Sequence, residues 1–497
     1  MSDHADNTNG TRNKPMRHIW TVLVCCGALW GGGIGCGSGA GAGGSGGTGG
    51  VASSGSVETP FSSGTGGCAF TGTFSVSPKI STVGIVTFTT LLPSPTEAHI
   101  DFGLDTSYGM TAPVDLTAAS YRTLLLGMKP SKSYHFRLSA TDGTSSCTSD
   151  DLTIMTGPAP NGMQNPTITT NNAGALYGGF LVSGQYSQVF IDGDSAGAPA
   201  FILDKDGAYV WWYTVVGSDA TGVTMSYDGN YMWINSVNTP SHIARVHRVS
   251  MDGLIDEDHS SEFVGQSHQL TVLPDETVAF YAYGANGCDD IKLRAPDGTV
   301  ATLVNAQTAH RGTNACHVNA IFYSRLDDTL IFGDLDNNCL TKITRTGATV
   351  WVLNGGVGGG PSSSFTGDTW KGGQHGFHIL GLDDFVIFNN NAKVPAGSTV
   401  SWGAVAGDGT GSWALEMKLD LTAMTATQTW AYQAPGLEDT VLGDAQRLPN
   451  GNTMVDFSTQ GSIQEVDASG ALLQEIKTTT NFGYIQKRAT LYGPPPR

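Results

Sequence analysis

The stretch from Cys316 to Leu353, CHVNAIFYSRLDDTLIFGDLDNNCLTKITRTGATVWVL, contains the pattern that decides the fold. Apolar and polar residues alternate in short runs, and Asp, Asn, Gly and Thr residues occupy the breaks between the runs. Alternation with period two is typical of half-buried β-strands, and those break residues favour tight turns. The stretch therefore predicts a stack of short antiparallel strands. It opens on His317, an imidazole that the strands themselves do not require.

The turns of this stretch recur along the rest of the chain. Turns that end at Gly207, Gly253, Gly298 and Gly347 are separated by 46, 45 and 49 residues, and a second turn lies within each interval. A period of about 46 with two hairpin turns corresponds to one four-stranded blade. The repeats predict a six-bladed β-propeller over residues 164–497. An array of β-sandwiches is the alternative, but it lacks this equal double-turn period.

A propeller closes when the two ends of its chain share a sheet. The C-terminal segment GYIQKRATLY, residues 483–492, is the predicted closing strand, paired beside GGFLVSG at residues 178–184. Closure leaves few strand edges exposed.

Composition supports an all-β chain of more than one domain. The 497 residues exceed what a single core holds, glycine reaches 67 residues, and only 14 % of residues are charged. The formal charge of −18, from 43 acidic and 25 basic residues, disfavours nucleic acid and anionic lipid surfaces as partners.

The N-terminal region predicts export. Arg17 and His18 precede the apolar run IWTVLVCCGALW, which has the length of a signal-peptide core. The following GGGIGC resembles the lipobox of bacterial lipoproteins, although Gly33 stands where leucine is usual. This resemblance implies that residues 1–36 are a signal peptide and that Cys36 is lipidated.

Residues 37–67 are dominated by glycine, serine and alanine, a composition that predicts a flexible linker. The expected location is the bacterial cell envelope, as an outer-membrane lipoprotein that faces the periplasm or the exterior. The N-terminal lipid anchor is the expected contact with the membrane.

Short alternating runs over residues 68–157 predict a separate small β-sandwich. The pieces AHIDFG and LLLGMKPSKSYHFRLSAT resemble a fibronectin type III domain, with Tyr134 as the tyrosine that caps the sheet corner. Cys68 and Cys147 bracket this region and are a plausible disulfide in an oxidising compartment. Cys288, Cys316 and Cys339 form an odd set, in which Cys316 can pair with either of the others or all three can stay free.

Histidines occupy one repeated position in three blades. His268 lies five residues before Leu273 of LPDE, His375 lies five before Leu380, and His317 matches after one extra residue. This position opens the innermost strand of a blade, so we expect the three imidazoles to converge on the central channel. A lone histidine is more often a hydrogen-bonded structural residue, but three at one repeated position favour a site.

The other histidines receive structural interpretations. His378 is three residues from His375, on the opposite strand face, and is predicted to pack between blades. His242, His247, His259 and His310 lie outside the repeated position and are interpreted as surface or packing residues, the last two in loops.

These residues resemble the bacterial arylsulfate sulfotransferase family, a six-bladed propeller that moves a sulfuryl group from a phenolic sulfate ester to another phenol. The similar pieces are HQLTVLPDE, HVNAIFYSRLDDTLIF, TKITRTGATVWVLNGG, QHGFHILGLDDFVIFNN and AQRLPNGNT, in the family's order between about Asp204 and Arg488.

The resemblance implies a catalytic set of His375, His317 and His268. His375 would take the sulfuryl group as a sulfohistidine, and the other two would bind and polarise the sulfate oxygens. The implied substrate-binding residues are Asn319, Gln374, Arg488 and Tyr484. The expected partners are small aromatic sulfate esters and phenols, and the scheme requires neither a nucleotide cofactor nor a metal ion.

One position departs from the family. The family carries a sulfate-binding arginine eighteen residues after the His-x-Asn histidine, and Leu335 stands there in this chain. Either another cation among Arg311, Arg447, Lys487 and Arg488 substitutes, or the activity is altered. Two alternatives to an exported aryl sulfotransferase therefore remain: a non-catalytic propeller that binds a ligand or partner on a lipid-anchored stalk, and a metalloenzyme that uses the three histidines.

Overall fold

Alternating apolar residues produce short antiparallel strands throughout the structure. It is a computed structural model that describes residues 57–163, 165–186, 197–238, 243–284, 287–312, 316–354, 361–393 and 407–494. The predicted signal peptide, Cys36 and most of the predicted linker lie outside these residues. Residues 53–497 form one compact unit.

The first nine strands form two facing sheets of a small sandwich. One sheet has the order β1-β2-β3-β6, and the other has the order β5-β4-β7, with β8 and β9 both pairing with β7. The strands are β1 (Thr59–Ser63), β2 (Phe70–Val76), β3 (Gly84–Thr90), β4 (Glu97–Gly103), β5 (Met110–Pro113), β6 (Thr123–Leu125), β7 (Ser133–Thr141), β8 (Ser146–Thr148) and β9 (Leu152–Met155).

Two features of this sandwich agree with the sequence. Cys68 and Cys147 are joined in a disulfide, as predicted. The hydroxyl of the buried Tyr134 accepts a hydrogen bond from the amide of Lys129, 2.8 Å away, a contact that is compatible with the predicted corner tyrosine. The fibronectin type III assignment itself stays a prediction.

The remaining strands, listed in chain order, build the propeller. They are β10 (Thr167–Thr170), β11 (Phe180–Tyr186), β12 (Ala200–Asp204), β13 (Tyr209–Tyr213), β14 (Gly222–Met225), β15 (Tyr231–Asn238), β16 (Ile243–Ser250), β17 (Asp256–Asp258), β18 (Gln266–Val272), β19 (Val278–Ala282), β20 (Asp290–Arg294), β21 (Val300–Asn305), β22 (Val318–Ser324), β23 (Thr329–Asp334), β24 (Cys339–Thr344), β25 (Thr349–Asn354), β26 (Thr366–Gly367), β27 (Gln374–Ile379), β28 (Asp384–Asn389), β29 (Trp413–Asp420), β30 (Thr425–Gln433), β31 (Asp444–Arg447), β32 (Thr453–Phe457), β33 (Ser462–Val466), β34 (Leu472–Lys477), β35 (Asn481–Phe482) and β36 (Gln486–Arg488).

Among the described residues these strands form six sheets, which confirms the predicted all-β fold and its six blades. Four blades are β14 to β17, β18 to β21, β22 to β25, and β27 to β30 with β26 paired in parallel to β30. A fifth contains β31 to β34, and a sixth contains β11 to β13. The strands β14, β18, β22, β27 and β31 contact one another in this order, and the space that these inner strands border is called the channel below.

The ring is closed at both ends of its chain. The C-terminal β36 pairs antiparallel with β11, from Phe180 opposite Arg488 to Val182 opposite Gln486, as the sequence predicted. The short β10 pairs with β34 at the outer edge of the blade that contains β31. The C-terminal β36 therefore joins the sheet of β11 to β13, and the N-terminal β10 joins the sheet of β31 to β34.

Helices contribute little to this architecture. One α-helix, α1 (Ala306–His310), precedes β22, and short 3-10 turns occur at Gly66–Cys68, Ala119–Tyr121, Ala173–Ala175 and Ser458–Gln460. In the described part of the chain, no helix combines the length and the apolar character needed to cross a membrane.

Side chains of the sandwich contact the propeller directly. Arg122 forms an ion pair with Asp252, and the Thr82 hydroxyl donates to the carbonyl of Val210 at 2.8 Å. Tyr492, which follows the closing strand, accepts from the amide of Leu126 and donates to the carbonyl of Leu124. These bonds attach the small sandwich to the blades that close the ring.

Candidate active site at the channel

The three repeat-matched histidines lie where the innermost strands begin. His268 is in β18, His317 directly precedes β22, and His375 is in β27. Each of these strands shifts register against its neighbour at this point, whereas β14 and β31 pair regularly. A β-bulge re-aims a side chain, so the shift occurs where each blade presents an imidazole.

The structure brings the three rings together. The ring centroid of His268 lies 5.9 Å from that of His317 and 6.4 Å from that of His375. His375 is 2 % exposed, while the other two are partly buried. Three imidazoles therefore share one small volume at the end of the channel where the inner strands start.

A separate hydrogen bond holds each histidine. Nδ1 of His268 is 2.9 Å from the Ser267 hydroxyl, and the backbone amide of His317 donates to Oδ1 of Asp334 at 3.1 Å. Nδ1 of His375 is 2.6 Å from Oδ1 of Asn390. The rings of His268 and His375 are therefore held by a hydrogen bond at Nδ1, whereas His317 is held through its backbone.

Burial keeps these imidazoles neutral. Desolvation lowers the pKa of His268 well below its ordinary value, and it lowers the pKa of His375 to about 3 although the Asn390 contact opposes it. The pKa of His317 is lowered by burial and partly restored by the charge of Asp334. A neutral imidazole offers one lone pair and one N–H donor, which suits nucleophilic attack and oxygen binding.

Asn319 and Tyr484 lie beside the histidines. The Asn319 side-chain amide donates to the backbone carbonyl of Gln374, and the Tyr484 hydroxyl donates to the carbonyl of Asn319. Oδ1 of Asn319 is buried without a hydrogen-bond partner among the described residues. An unpaired buried acceptor is costly, and this one lies two residues from His317.

Gln374 and Arg488 have other contacts. The Gln374 amide donates to the carbonyls of Asp334 and Cys339 and accepts from the indole of Trp370, so it joins two blades. Arg488 is fully buried, and its guanidinium donates to the carbonyls of Thr490 and Gly493 in the C-terminal segment. Neither side chain is hydrogen bonded to one of the three histidines in this structure.

Among the described residues, none of the four candidate cations is hydrogen bonded to one of the three histidines. Leu335 is buried, and its backbone amide donates to the carbonyl of His317 at 2.8 Å, so a side chain at this position starts beside the site. Arg311 is exposed and has left-handed backbone at the end of α1.

Arg447 and Lys487 are engaged elsewhere in the propeller. The Arg447 guanidinium bonds Glu416 and lies over the ring of Trp430, 4.6 Å from its centroid. Lys487 is 2 % exposed, and burial lowers its pKa to about 8 against the opposing charge of Glu465. The three imidazoles therefore have no cationic partner among these four side chains, and the charge that acts on His317 is the negative charge of Asp334.

The interpretation of His310 as a loop residue was wrong. It ends α1, is 1 % exposed, and its Nε2 donates to Asp334 at 3.1 Å. Asp334 also holds the amide of His317, so His310 supports the site through one intermediate residue. Repeat alignment missed this pair because His310 lies outside the repeat.

The remaining histidines have structural contacts where they are described. His247 bonds Asp256, and His259 stacks on Trp233. His378 is half-buried, and burial lowers its pKa to about 4. His242 lies outside the described residues.

A second disulfide borders the site. Cys288 pairs with Cys316, the residue before His317, and Cys339 is a buried free thiol. Within the described residues, Cys288, His310 and Cys316 are the one group of His, Cys and acidic side chains whose ligand atoms all lie within 4.8 Å of one another. The three channel histidines do not form such a group, so the geometry favours their acting separately on one ligand over their sharing one ion.

Comparison with known proteins bears on this site. Residues 286–488 match the arylsulfotransferase (ASST) family model. The matched segment contains His317, Asn319, His375 and Tyr484 and begins after His268. It supports arylsulfotransferase activity in general, with phenolic substrates. No curated protein matches the chain.

Several solved structures are similar at low sequence identity. TolB from Acinetobacter baumannii is 12 % identical, with a TM-score of 0.40, and the match covers 73 % of this chain and 80 % of that one. The periplasmic gluconolactonase PpgL from Pseudomonas aeruginosa is 13 % identical, with a TM-score of 0.37, and the match covers 62 % of this chain and 98 % of that one.

Asn390 is a further residue at this site that sequence reasoning did not single out. It follows β28 in the run Asn389-Asn390-Asn391, directly after a buried apolar strand. Three polar residues in a row after such a strand were the available signal.

Proposed function

We propose that this chain transfers a sulfuryl group from a phenolic sulfate ester to a phenol through a covalent sulfohistidine at His375, without a nucleotide cofactor. The observation that carries this proposal is the gathering of His268, His317 and His375 at one end of the channel. The family match over residues 286–488 supports the reaction class.

His375 is the nucleophile because it is the most buried and most firmly held of the three. Its lowered pKa leaves the ring unprotonated at neutral pH, so a lone pair is available for attack on sulfur. The N–S bond forms as the S–O bond to the aryl group breaks, and the phenolate leaves with the electron pair. The acceptor phenol then reverses these steps at the same sulfur.

His268 and His317 stabilise the transferring group. By analogy with phosphoryl transfer, negative charge spreads over the equatorial oxygens, and catalysis depends on positioned donors. Each neutral imidazole supplies one N–H donor, while the Tyr484 hydroxyl donates to the backbone carbonyl of Asn319 and so holds the strand that follows His317. These donors act in a buried place, where hydrogen bonds to charge are stronger than in water.

The test is release of 4-nitrophenol from 4-nitrophenyl sulfate that depends on added phenol. Wild-type protein should turn over and, with donor alone, carry one SO3 group on the peptide that contains His375. His375→Ala should abolish both signals, and His268→Ala and His317→Ala should each lower kcat by about 10²–10³.

The matched control is His378→Ala, which lies on the same strand outside the cluster and should keep the wild-type rate. Full activity of His375→Ala would exclude that nucleophile.

One observation favours a second function, a non-catalytic propeller that binds an aromatic ligand. Leu335 replaces the family arginine, and the guanidinium groups of Arg447 and Arg488 bond other partners. Saturable binding of 4-nitrophenyl sulfate by calorimetry, with no turnover across pH and acceptor, would establish this function instead. Turnover would exclude it.

We also propose that the protein is an exported lipoprotein anchored through Cys36. The apolar run before GGGIGC and the glycine-rich stretch after it support this location. Labelled fatty acid should be incorporated into the wild type and be lost in Cys36→Ser. Incorporation that survives this substitution would contradict the anchor.

A further inference from the structure

The two ring nitrogens of His375 are not equivalent in this structure. Nδ1 is 2.6 Å from Oδ1 of Asn390, and the ring is 2 % exposed. A neutral imidazole has a proton on one nitrogen and a lone pair on the other, and only the lone pair can attack sulfur. Which nitrogen carries the proton therefore decides which atom reacts.

The contacts of Asn390 determine that choice. Its Nδ2 lies 3.0 Å from the carbonyl of Asp439 and 3.0 Å from the carbonyl of Leu442. Carbonyl oxygens only accept, so the nitrogen of the amide must face them and the oxygen must face His375. An oxygen can only accept from Nδ1, which places the proton on Nδ1 and the lone pair on Nε2.

Asn390 is itself held from several sides. Its side chain is fully buried, its backbone amide donates to the carbonyl of Gly373, and its carbonyl accepts from the Ser412 hydroxyl at 2.9 Å. Ser412 in turn accepts from the amide of Asp439. The amide can rotate only by giving up two hydrogen bonds, so its orientation is fixed before any substrate binds.

We infer that Asn390 is a positioning residue that fixes the Nδ1–H tautomer of His375 and so makes Nε2 the atom that accepts the sulfuryl group. The transfer step in this inference rests on the proposed function, whereas the assignment of the tautomer does not. When Nε2 bonds sulfur, the ring gains positive charge without losing a proton, and Asn390 Oδ1 accepts from the N–H that carries part of it. The acceptor then takes the sulfur, and the N–S electron pair returns to Nε2.

A neutral amide suits this role better than a carboxylate. A carboxylate at the same place would stabilise the imidazolium of the free enzyme and remove the nucleophile near neutral pH. An amide orients the ring and leaves it unprotonated. The proton of the acceptor phenol passes through solvent to the phenolate released in the first step, so the overall exchange needs no net proton transfer to the protein.

The direct test is nuclear magnetic resonance of full-length protein labelled with ¹⁵N in histidine. The His375 signals, assigned by their loss in His375→Gln, should show a protonated Nδ1 and an unprotonated Nε2 from pH 5 to 8. A protonated Nε2, or a charged ring in this range, would overturn the inference whether or not the protein transfers sulfate. Failure of the transferase assay with the expected tautomer would count against the proposed function alone.

Variants supply the second test. Asn390→Ala should mix the two tautomers and lower kcat by on the order of 10², with KM changed less, because a wrong tautomer removes the reactive lone pair. Asn390→Asp should add an acid limb to the pH profile of kcat/KM near neutral pH. The matched control is Asn391→Asp, whose side chain bonds Asp408 and Gly411 away from His375 and which should keep the wild-type profile. A wild-type profile in Asn390→Asp would contradict the positioning role.

Discussion

His375 combines a reactive group with an environment that removes its charge. Its pKa is lowered to about 3, chiefly by burial and to a smaller extent by the neighbouring His317, while the Asn390 contact opposes the shift. Asp444 stands next to it on the adjoining blade, where its Oδ1 fills the space over Gly376. Burial also raises the pKa of Asp444, to about 7, so this neighbour retains its proton in acid and does not hold charge against the ring.

The rate should therefore lack an acid limb in the usual histidine range. Because the folded-state pKa of His375 is lowered, its lone pair is free at every pH above about 4. We expect kcat/KM with 4-nitrophenyl sulfate to stay level from pH 8 down to pH 5. The measurement is initial rates at fixed ionic strength, with folding checked by circular dichroism at each pH. A limb centred near pH 6.5 that persists in Asp444→Asn, which removes the neighbouring carboxyl with a pKa of about 7, would show that His375 titrates as an exposed histidine does.

At the residue scale, sequence repeats predicted which histidines lie together but not the residues that hold them. His268, His317 and His375 occupy one repeated position, so alignment of turns was sufficient to bring them together. The partners of Asn390 are 49 and 52 residues away, on the next blade. Contacts of that kind depend on how blades pack, which a period along one chain does not encode.

At the scale of elements, strand pairing explains what the alternation pattern could not. The alternation predicted strands and turns, and the structure confirms them. The register shifts that aim the histidines arise in pairing with the next strand, so they leave no mark in the sequence of one strand. The same pairing places Asp444 of β31 directly opposite Asp456 of β32.

These paired strands bury a group of carboxyls. Burial raises the pKa of Asp444 to about 7 and that of Asp439 to about 8. Burial and the charges of both neighbours raise the pKa of Asp456 well above its ordinary value. Both side-chain oxygens of Asp456 are buried without a hydrogen-bond partner among the described residues. The fold therefore favours the protonated form of these groups.

Stability should fall as the pH rises from about 6.5 to 8.5. The folded-state pKa of each carboxyl exceeds its unfolded value, so its stabilisation is complete below pH ~4 and is lost as pH rises through about 7 to 8. The buried histidines act oppositely, because their folded-state pKa values are lowered, and they add no slope above pH ~6.5. The free energy of unfolding should decrease across this window by about 1.4 kcal/mol per pH unit for each proton released on unfolding, and the urea midpoint should decrease with it.

Asp456→Asn isolates the contribution of this group. It removes the titrating carboxyl at constant shape, so it should flatten the decline and raise the urea midpoint at pH 8.5. Asp467→Asn is the control, because hydrogen bonds from Ser469 lower the pKa of that exposed carboxyl and it stays ionised throughout the window. A urea midpoint that rises with pH in the wild type would contradict the conclusion that burial raises the pKa values of these carboxyls.

At the scale of the whole molecule, closure of the ring and attachment of the sandwich depend on the same C-terminal segment. The sequence predicted β36 as the closing strand, and the pairing with β11 confirms it. The repeat gave no indication that Tyr492, four residues beyond β36, bonds both Leu124 and Leu126 of the sandwich. Tyr492 is 366 residues from Leu126 and 368 residues from Leu124 along the chain.

Tyr492→Phe should weaken the whole unit rather than one sheet. It leaves the Leu126 amide and the Leu124 carbonyl without their partner, and an unpaired buried polar group costs about 1–3 kcal/mol. We expect the urea midpoint to fall by a corresponding amount in a single transition, because the tyrosine connects the closing segment to the sandwich. Tyr323→Phe is the control, since its hydroxyl bonds the exposed Asp328, and its loss should change the free energy of unfolding by less than about 0.5 kcal/mol. Two separate transitions in Tyr492→Phe, with the propeller unchanged, would mean that the sandwich unfolds on its own and that this bond does not couple the two.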